Sequence, residues 1–171
     1  MSVAELPQPL GPVSFRRMTL HDLEQVHTLE RYLFPADAWP IDMFLAEIQH
    51  ETRSYLVVED TAVRPTSIIG YAGVMSVADT ADVQTIAVAP QHEGKGIGRA
   101  LLDYLHREAA ARGAQTILLE VRADNPRAQD LYTRNGYSHI HTRPRYYNDG
   151  VDALIMQASL TDPTNSKETP R

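Results

Sequence analysis

Three glycines at alternate positions, Gly94, Gly96 and Gly98, separate a β-rich run ending at Val88 from a helical stripe of Ile97, Leu101, Leu105 and Ala109 that Gly113 closes. A chain with this spacing must turn sharply from strand to helix, and glycine lets its backbone come close to whatever lies at the turn. The first helical amides would then face an anion with the positive end of the helix dipole. A tight structural turn and a pyrophosphate cradle both fit the spacing. A dinucleotide fingerprint does not, because it needs a glycine three residues after the second and an acid about 20 residues further on. A Walker loop is also absent, since Lys95 is not followed by Ser or Thr in frame.

The rest of the chain supplies the elements around that turn. Val13 and Phe15 alternate as in a strand, and Thr19 with Asp22 reads as a capping box opening a helix through Leu29 and Leu33. A proline-bracketed loop, Phe34 to Pro40, carries the only tryptophan, Trp39, and precedes a short helix over Ile41 to Ile48. Ser54 to Glu59, Ser67 to Met75 and Val83 to Val88 read as consecutive strands of an antiparallel meander. Thr116 to Val121 has the composition of a strand buried on both faces, with one acid, Glu120. Asn125 and Pro126 then cap a helix that Gly136 stops. Tyr137 to Thr142 and Asp152 to Leu160 complete the sheet. The order β-α-α-β-β-β-α-β-α-β-β predicts an α/β (α+β) fold, a mixed sheet covered by helices.

A chain of 171 residues, 43% hydrophobic, fits one domain, expected over residues 13–160 between flexible tails at 1–12 and 161–171. A net charge of -6 gives no general attraction to nucleic acid or to an anionic membrane. The absence of cysteine excludes disulfides, thiolate metal sites and a cysteine nucleophile. The seven histidines show no metal-ligand spacing, so no metal is expected. Met1 to Pro12 lacks the pattern of a signal peptide, and no apolar run approaches the roughly 20 residues of a membrane span, which favours the cytoplasm.

Two side chains have the chemistry for acyl transfer to an amine. Such a transfer needs a base for the nucleophile and an acid for the leaving group. Glu120, in an apolar strand, is expected to have a pKa raised by desolvation; a structural salt bridge is its other reading. Tyr132 stays protonated at neutral pH and suits the acid, although core packing would also explain it.

The string Ile86-Ala87-Val88-Ala89-Pro90-Gln91-His92-Glu93-Gly94-Lys95-Gly96-Ile97-Gly98-Arg99-Ala100-Leu101-Leu102 closely resembles the coenzyme A loop of GNAT acetyltransferases. The segment from Leu119-Glu120-Val121-Arg122 through Asn125 to Tyr132 and Gly136-Tyr137 resembles the second block of that superfamily, particularly of its RimI-type ribosomal-protein-alanine N-acetyltransferases. The resemblance implies a mostly antiparallel GNAT sheet and acetyl-coenzyme A as donor. It implies that Ile86, Ala87 and Val88 hold the pantetheine arm. It implies that Gly94, Lys95, Gly96, Ile97, Gly98 and Arg99 hold the pyrophosphate, and that Asn125 contacts the cofactor. Glu120 and Tyr132 stand at the positions of base and acid. One residue departs from the pattern: Glu93 stands where the family usually has Gln or Arg, and its charge disfavours a phosphate.

A protein α-amine, with a pKa of about 7.7 to 8.0, is far more often neutral at pH 7 than lysine at about 10.4, so a modest base suits an N-terminus. Leu33-Phe34-Pro35 with Trp39, and Arg145-Tyr146-Tyr147, also resemble RimI-type sequences, whose two loops close over the first residues of the acceptor. That implies a peptide lip of Phe34, Trp39, Tyr146 and Tyr147; lid packing or a dimer contact is the other reading. The expectation is Nα-acetylation of a protein N-terminus, such as that of a ribosomal protein. The alternatives are acetylation of a lysine or small amine, and a non-catalytic acetyl-coenzyme A-binding subunit, which the presence of both Glu120 and Tyr132 disfavours.

Overall fold

The alternation of period-two and period-3.6 segments becomes, in a computed structural model that describes residues 4–161, seven strands and four helices. In chain order they are β1 (Val13–Arg17), α1 (Leu23–Leu33), α2 (Ile41–Ile48), β2 (Arg53–Asp60), β3 (Ser67–Val77), β4 (Thr80–Val88), α3 (Ile97–Ala111), β5 (Thr116–Arg122), α4 (Pro126–Arg134), β6 (Ser138–Arg143) and β7 (Ala153–Ser159). Single 3-10 turns at Leu20–Asp22 and Pro90–His92 lead toward α1 and α3. The predicted capping box is present, with the Thr19 amide donating to Asp22 at 2.7 Å.

The strands form one sheet in the order β1-β2-β3-β4-β5-β7-β6. Every neighbouring pair is antiparallel except β4 with β5. This is the expected mixed, mostly antiparallel α/β sheet. A parallel pair requires a crossover, and α3 provides it.

Two apolar clusters hold the layers together. On one face Leu101, Leu105 and Ala109 of α3 pack with Ile117, Leu119 and Val121 of β5 and with Tyr132 of α4. On the other, Val26 of α1 and Phe44 of α2 pack with Tyr55, Val57 and Tyr71. Burying each such large side chain contributes about 1.5 to 3 kcal/mol. The second cluster includes no residue of β5. The α1–α2 layer therefore leaves that face of β5 open, and the expectation of a strand buried on both faces is corrected: Ile117, Leu119 and Val121 are buried, whereas Glu120 is exposed.

Of the expected tails, residues 1–3 and 162–171 lie outside the described residues. Residues 4–12, also expected as tail, make defined contacts. The Ala4 amide donates to Glu108 Oε2 at 2.7 Å, Arg107 reaches the Glu5 carbonyl at 2.8 Å, and Leu10 and Val13 exchange backbone hydrogen bonds. The cause lies in α3, where the fully buried Glu108 carboxylate needs donors and finds them in Ala4 and in Arg112 Nε at 2.8 Å.

His106 of α3 is half-buried with its Nε2 2.7 Å from the Tyr137 hydroxyl, and desolvation lowers its pKa to about 4. The unfolded chain, with His near 6.5, binds the extra proton first, so stability falls as pH drops from 6.5 to about 4 and is fully retained above that window. The loss should be on the order of 2 to 3 kcal/mol. Urea unfolding at several pH values should show His106→Gln with a flatter dependence across that window than the unsubstituted chain.

Candidate active site

The geometry of the site begins where β4 and β5 part. They pair only at Thr80 with Thr116, Ala81 with Ile117 and Asp82 with Leu118. Beyond that, β4 stays bonded to β3 through Val88, with a register shift opposite Gly73 and Val74, while β5 continues against β7. The β5-facing backbone groups of residues 83–88 are thus open, and Ile86, Ala87 and Val88 border the gap.

The glycine turn closes the β4 side of this gap. Gly94 and Gly96 have φ of 75° and 83°, left-handed values that glycine adopts without steric cost. Gly98 is present for another reason: a Cβ there would lie 3.3 Å from Leu131 Cδ2, so its absence lets α3 approach α4. The helical ladder starts with the Ala100 amide bonding to the Gly96 carbonyl at 3.0 Å, which leaves the amides of Ile97, Gly98 and Arg99 ahead of it. With Lys95 and Arg99 exposed beside them, these amides fit a diphosphate.

Glu93 does not stand alone at this turn. Arg127, in the first turn of α4, reaches its Oε2 at 3.2 Å. The unfavourable charge is therefore neutralised, and a cation that sequence reasoning did not single out is drawn to the cradle. Asn125 caps α4, its Oδ1 accepting the Ala128 amide at 3.1 Å.

On the open face of β5, Glu120 pairs with Arg143 at 3.2 Å and lies beside Tyr146, whose pKa it raises. Its side chain is 35% exposed, so the apolar enclosure expected from sequence is not its environment. Tyr147 has a pKa pushed up to about 12 by burial, with the Glu120 charge adding to it. Tyr132 is buried; its pKa is raised by desolvation and further by Tyr147. Among the described residues the Tyr132 hydroxyl makes no hydrogen bond. Tyr147 thus lies electrostatically between the carboxylate and the phenol. Asp82 of β4 joins them, because it aligns with Leu118 and so shares the face of Glu120; burial and then Glu120 raise its pKa.

Two loops flank this cluster. Phe34 and Trp39 in residues 34–40 are half-buried against the second core cluster, with Trp39 5.2 Å from Phe44. Tyr146, 46% exposed, and the half-buried Tyr147 meet edge to face at 5.2 Å in the opposite loop. The loops touch: the Asn148 amide donates to Asp37 at 3.1 Å and its Nδ2 to the Ala36 carbonyl at 3.0 Å. Sequence reasoning missed Arg122, whose guanidinium reaches Asp37 at 3.1 Å and Asp149 at 2.5 Å. The signal existed, since a strand period of two puts residue 122 on the face of residue 120. His141 lies on the edge strand β6 and is exposed.

The acetyltransferase (GNAT) family model matches residues 20–137. The chain belongs to the GNAT acetyltransferase family. Its GNAT relatives include the N-alpha-acetyltransferase RimI of Mycobacterium tuberculosis, 35% identical over 161 residues that cover 90% of this chain and 96% of that protein. It is also 36% identical over 152 residues to the uncharacterized protein ML0378 of Mycobacterium leprae, covering 85% of this chain but only 40% of that protein. Among solved GNAT folds, the crystal structure of the ribosomal-protein-S18-alanine N-acetyltransferase from Escherichia coli superposes with a TM-score of 0.73 and 28% identity, covering 92% of this chain and 99% of that one. No helix among the described residues is long and apolar enough to cross a membrane, and none of their His, Asp and Glu groups is placed to hold a metal.

The Glu93–Arg127 pair makes a specific demand on the GNAT loop. Arg127→Ala should raise the KM for acetyl-coenzyme A about fivefold, given the roughly 1 kcal/mol upper range of an exposed ion pair. Adding Glu93→Gln should restore it, which steady-state kinetics on both variants would check.

Proposed function

We propose that this chain transfers the acetyl group of acetyl-coenzyme A to the N-terminal α-amine of a protein, with a ribosomal protein beginning in alanine as the first candidate acceptor. The observation that carries the reading is the meeting of the 34–40 and 144–152 loops over the Glu120 face, held together through Asp37 and Asn148. Such a roofed, aromatic-edged entrance suits the extended start of a polypeptide. The names of the relatives support the same acceptor: an N-alpha-acetyltransferase in Mycobacterium tuberculosis and a ribosomal-protein-S18-alanine N-acetyltransferase in Escherichia coli.

Acetyl-coenzyme A supplies an activated acetyl thioester. The amides of Ile97, Gly98 and Arg99, with Lys95, Arg99 and Arg127, hold its diphosphate end. The open edge of Ile86, Ala87 and Val88 aligns its amide-bearing arm. The Nδ2 of Asn125 is not engaged within the described residues and serves as a further donor. Glu120, reachable from solvent and steadied by Arg143 and Tyr146, accepts the proton that the acceptor nitrogen sheds as its bond to the acetyl carbon forms. Tyr132 gives a proton to the sulfur as the carbon–sulfur bond breaks. Burial keeps that phenol protonated at neutral pH and lowers its intrinsic acidity, so the proton moves only when a strongly basic thiolate develops. Phe34, Trp39, Tyr146 and Tyr147 position the first acceptor residues.

Short peptides with free or blocked N-termini, incubated with acetyl-coenzyme A and read by mass spectrometry, test the acceptor. The free peptide should be acetylated at its α-amine, and equal modification of the blocked peptide would refute the reading. Glu120→Gln and Tyr132→Phe should each lower kcat by about 10² to 10⁴ in a chemistry-limited assay. Full turnover in both variants from pH 6 to 9 would remove them from these roles.

A further inference from the structure

We propose that Arg122 is the positioning residue that latches the two acceptor lips over Glu120 and thereby sets affinity for the acceptor without touching the donor site. The proposal rests on the acetyl-transfer reading above. Arg122 is the last residue of β5, on the same face as Glu120. Its guanidinium binds Asp37 of the first lip at 3.1 Å and Asp149 of the second at 2.5 Å, and also Asp124 at 3.0 Å. It lies 4.8 Å from the centre of the Tyr147 ring, stacked on a residue of the second lip. Asp37 uses its remaining oxygen to accept the Asn148 amide at 3.1 Å, which completes a loop-to-loop bond centred on the same carboxylate.

Charge makes the arginine indispensable to this arrangement. Three carboxylates surround it, and without the cation Asp37 and Asp149 repel each other across the entrance. The Arg122 and Asp37 side chains are only 22% and 23% exposed, so solvent screens this pair less than it screens an open surface pair. A guanidinium fork can serve two loops and one turn at once, whereas an ammonium is a single point of charge. The donor-binding elements, the glycine turn and the open edge of β4, contribute no atom to the latch.

The test uses the full chain with Arg122→Gln, Arg122→Lys and Asp37→Ala. Two readouts apply: KM for an acceptor peptide against KM for acetyl-coenzyme A, and acrylamide quenching of Trp39, the only tryptophan and a first-lip residue. Arg122→Gln should raise the peptide KM about tenfold while leaving the acetyl-coenzyme A KM within about twofold, and should make Trp39 more accessible to quencher. Asp37→Ala should shift both readouts the same way, Arg122→Lys should recover only part of the loss, and combining Arg122→Gln with Asp37→Ala should do little more than the worse single change. Unchanged peptide KM and quenching in either folded variant would overturn the latch, as would a matching rise in both KM values or full additivity. Should Arg122→Gln fail to fold, Asp37→Ala decides alone. If the unsubstituted chain acetylates no peptide, the acceptor reading fails by itself, and Trp39 quenching still decides the latch.

Discussion

Three residue pairs of parallel sheet carry the whole arrangement. With only Thr80 to Asp82 of β4 bonded to Thr116 to Leu118 of β5, the sheet is continuous at one end and split at the other. The split survives because each strand has a full partner on its other side: β3 for β4, and β7 for β5 from Thr116 to Arg122. Buried backbone groups require partners, so a gap between central strands persists only where something else satisfies or solvates them. Both parallel strands run toward the open end, where they feed the N-termini of α3 and α4. One opening thereby gathers unpaired strand amides, two helix N-termini and the side chains of the open β5 face.

The charges in that opening follow from uneven coverage. Helices α1 and α2 cover β2 and β3, and their apolar cluster does not extend to β5. Uncovered, the Glu120 face of β5 carries polar groups that must be balanced by other elements: Arg143 of β6 answers Glu120, and Asp37, Asp124 and Asp149 answer Arg122. The first lip has a deeper anchor as well. Buried Glu30 accepts the Trp39 amide at 3.2 Å and the Tyr71 hydroxyl, so the loop that carries Trp39 is tied to the core from below while Asp37 ties it to β5 from the side. Desolvation raises the Glu30 pKa, and its two donors counter that shift.

The order of the elements was legible because each has a strong period and clear ends: Gly113 and Gly136 after helices, Asn125 and Pro126 before one, Ile41 to Ile48 with its boundaries as read. The strand-to-helix glycine turn was legible too, but not its division of labour, since only packing shows that Gly98 makes room for Leu131. The environment of Glu120 was misread for a physical reason. Apolar neighbours along a strand belong to the opposite face, and which face is covered depends on helices far away in the sequence. Glu93 looked like a liability because the arginine that neutralises it, Arg127, begins a different helix. Arg122 and Asp37 gain their meaning only when two loops meet, and pattern reading does not register such a meeting. Residues 4–12 looked unanchored because the buried acid that holds Ala4 lies in α3.

The two halves of the opening are held by different kinds of force, and the difference suits a two-substrate reaction. The donor half is built mainly of backbone, glycine dihedrals, helix amides and an open strand edge, with Lys95, Arg99 and Arg127 adding charge only at the diphosphate end. The acceptor half is built of side-chain charges that bridge two loops, and although the Arg122–Asp37 pair is partly covered, such contacts respond to salt in a way that backbone amides do not. A donor that is the same in every turnover can be met by fixed dipoles that need no rearrangement. The polypeptide end proposed above as acceptor must be admitted and released, and lips joined through Arg122 and Asn148 can part by breaking a few polar contacts while the sheet beneath stays intact.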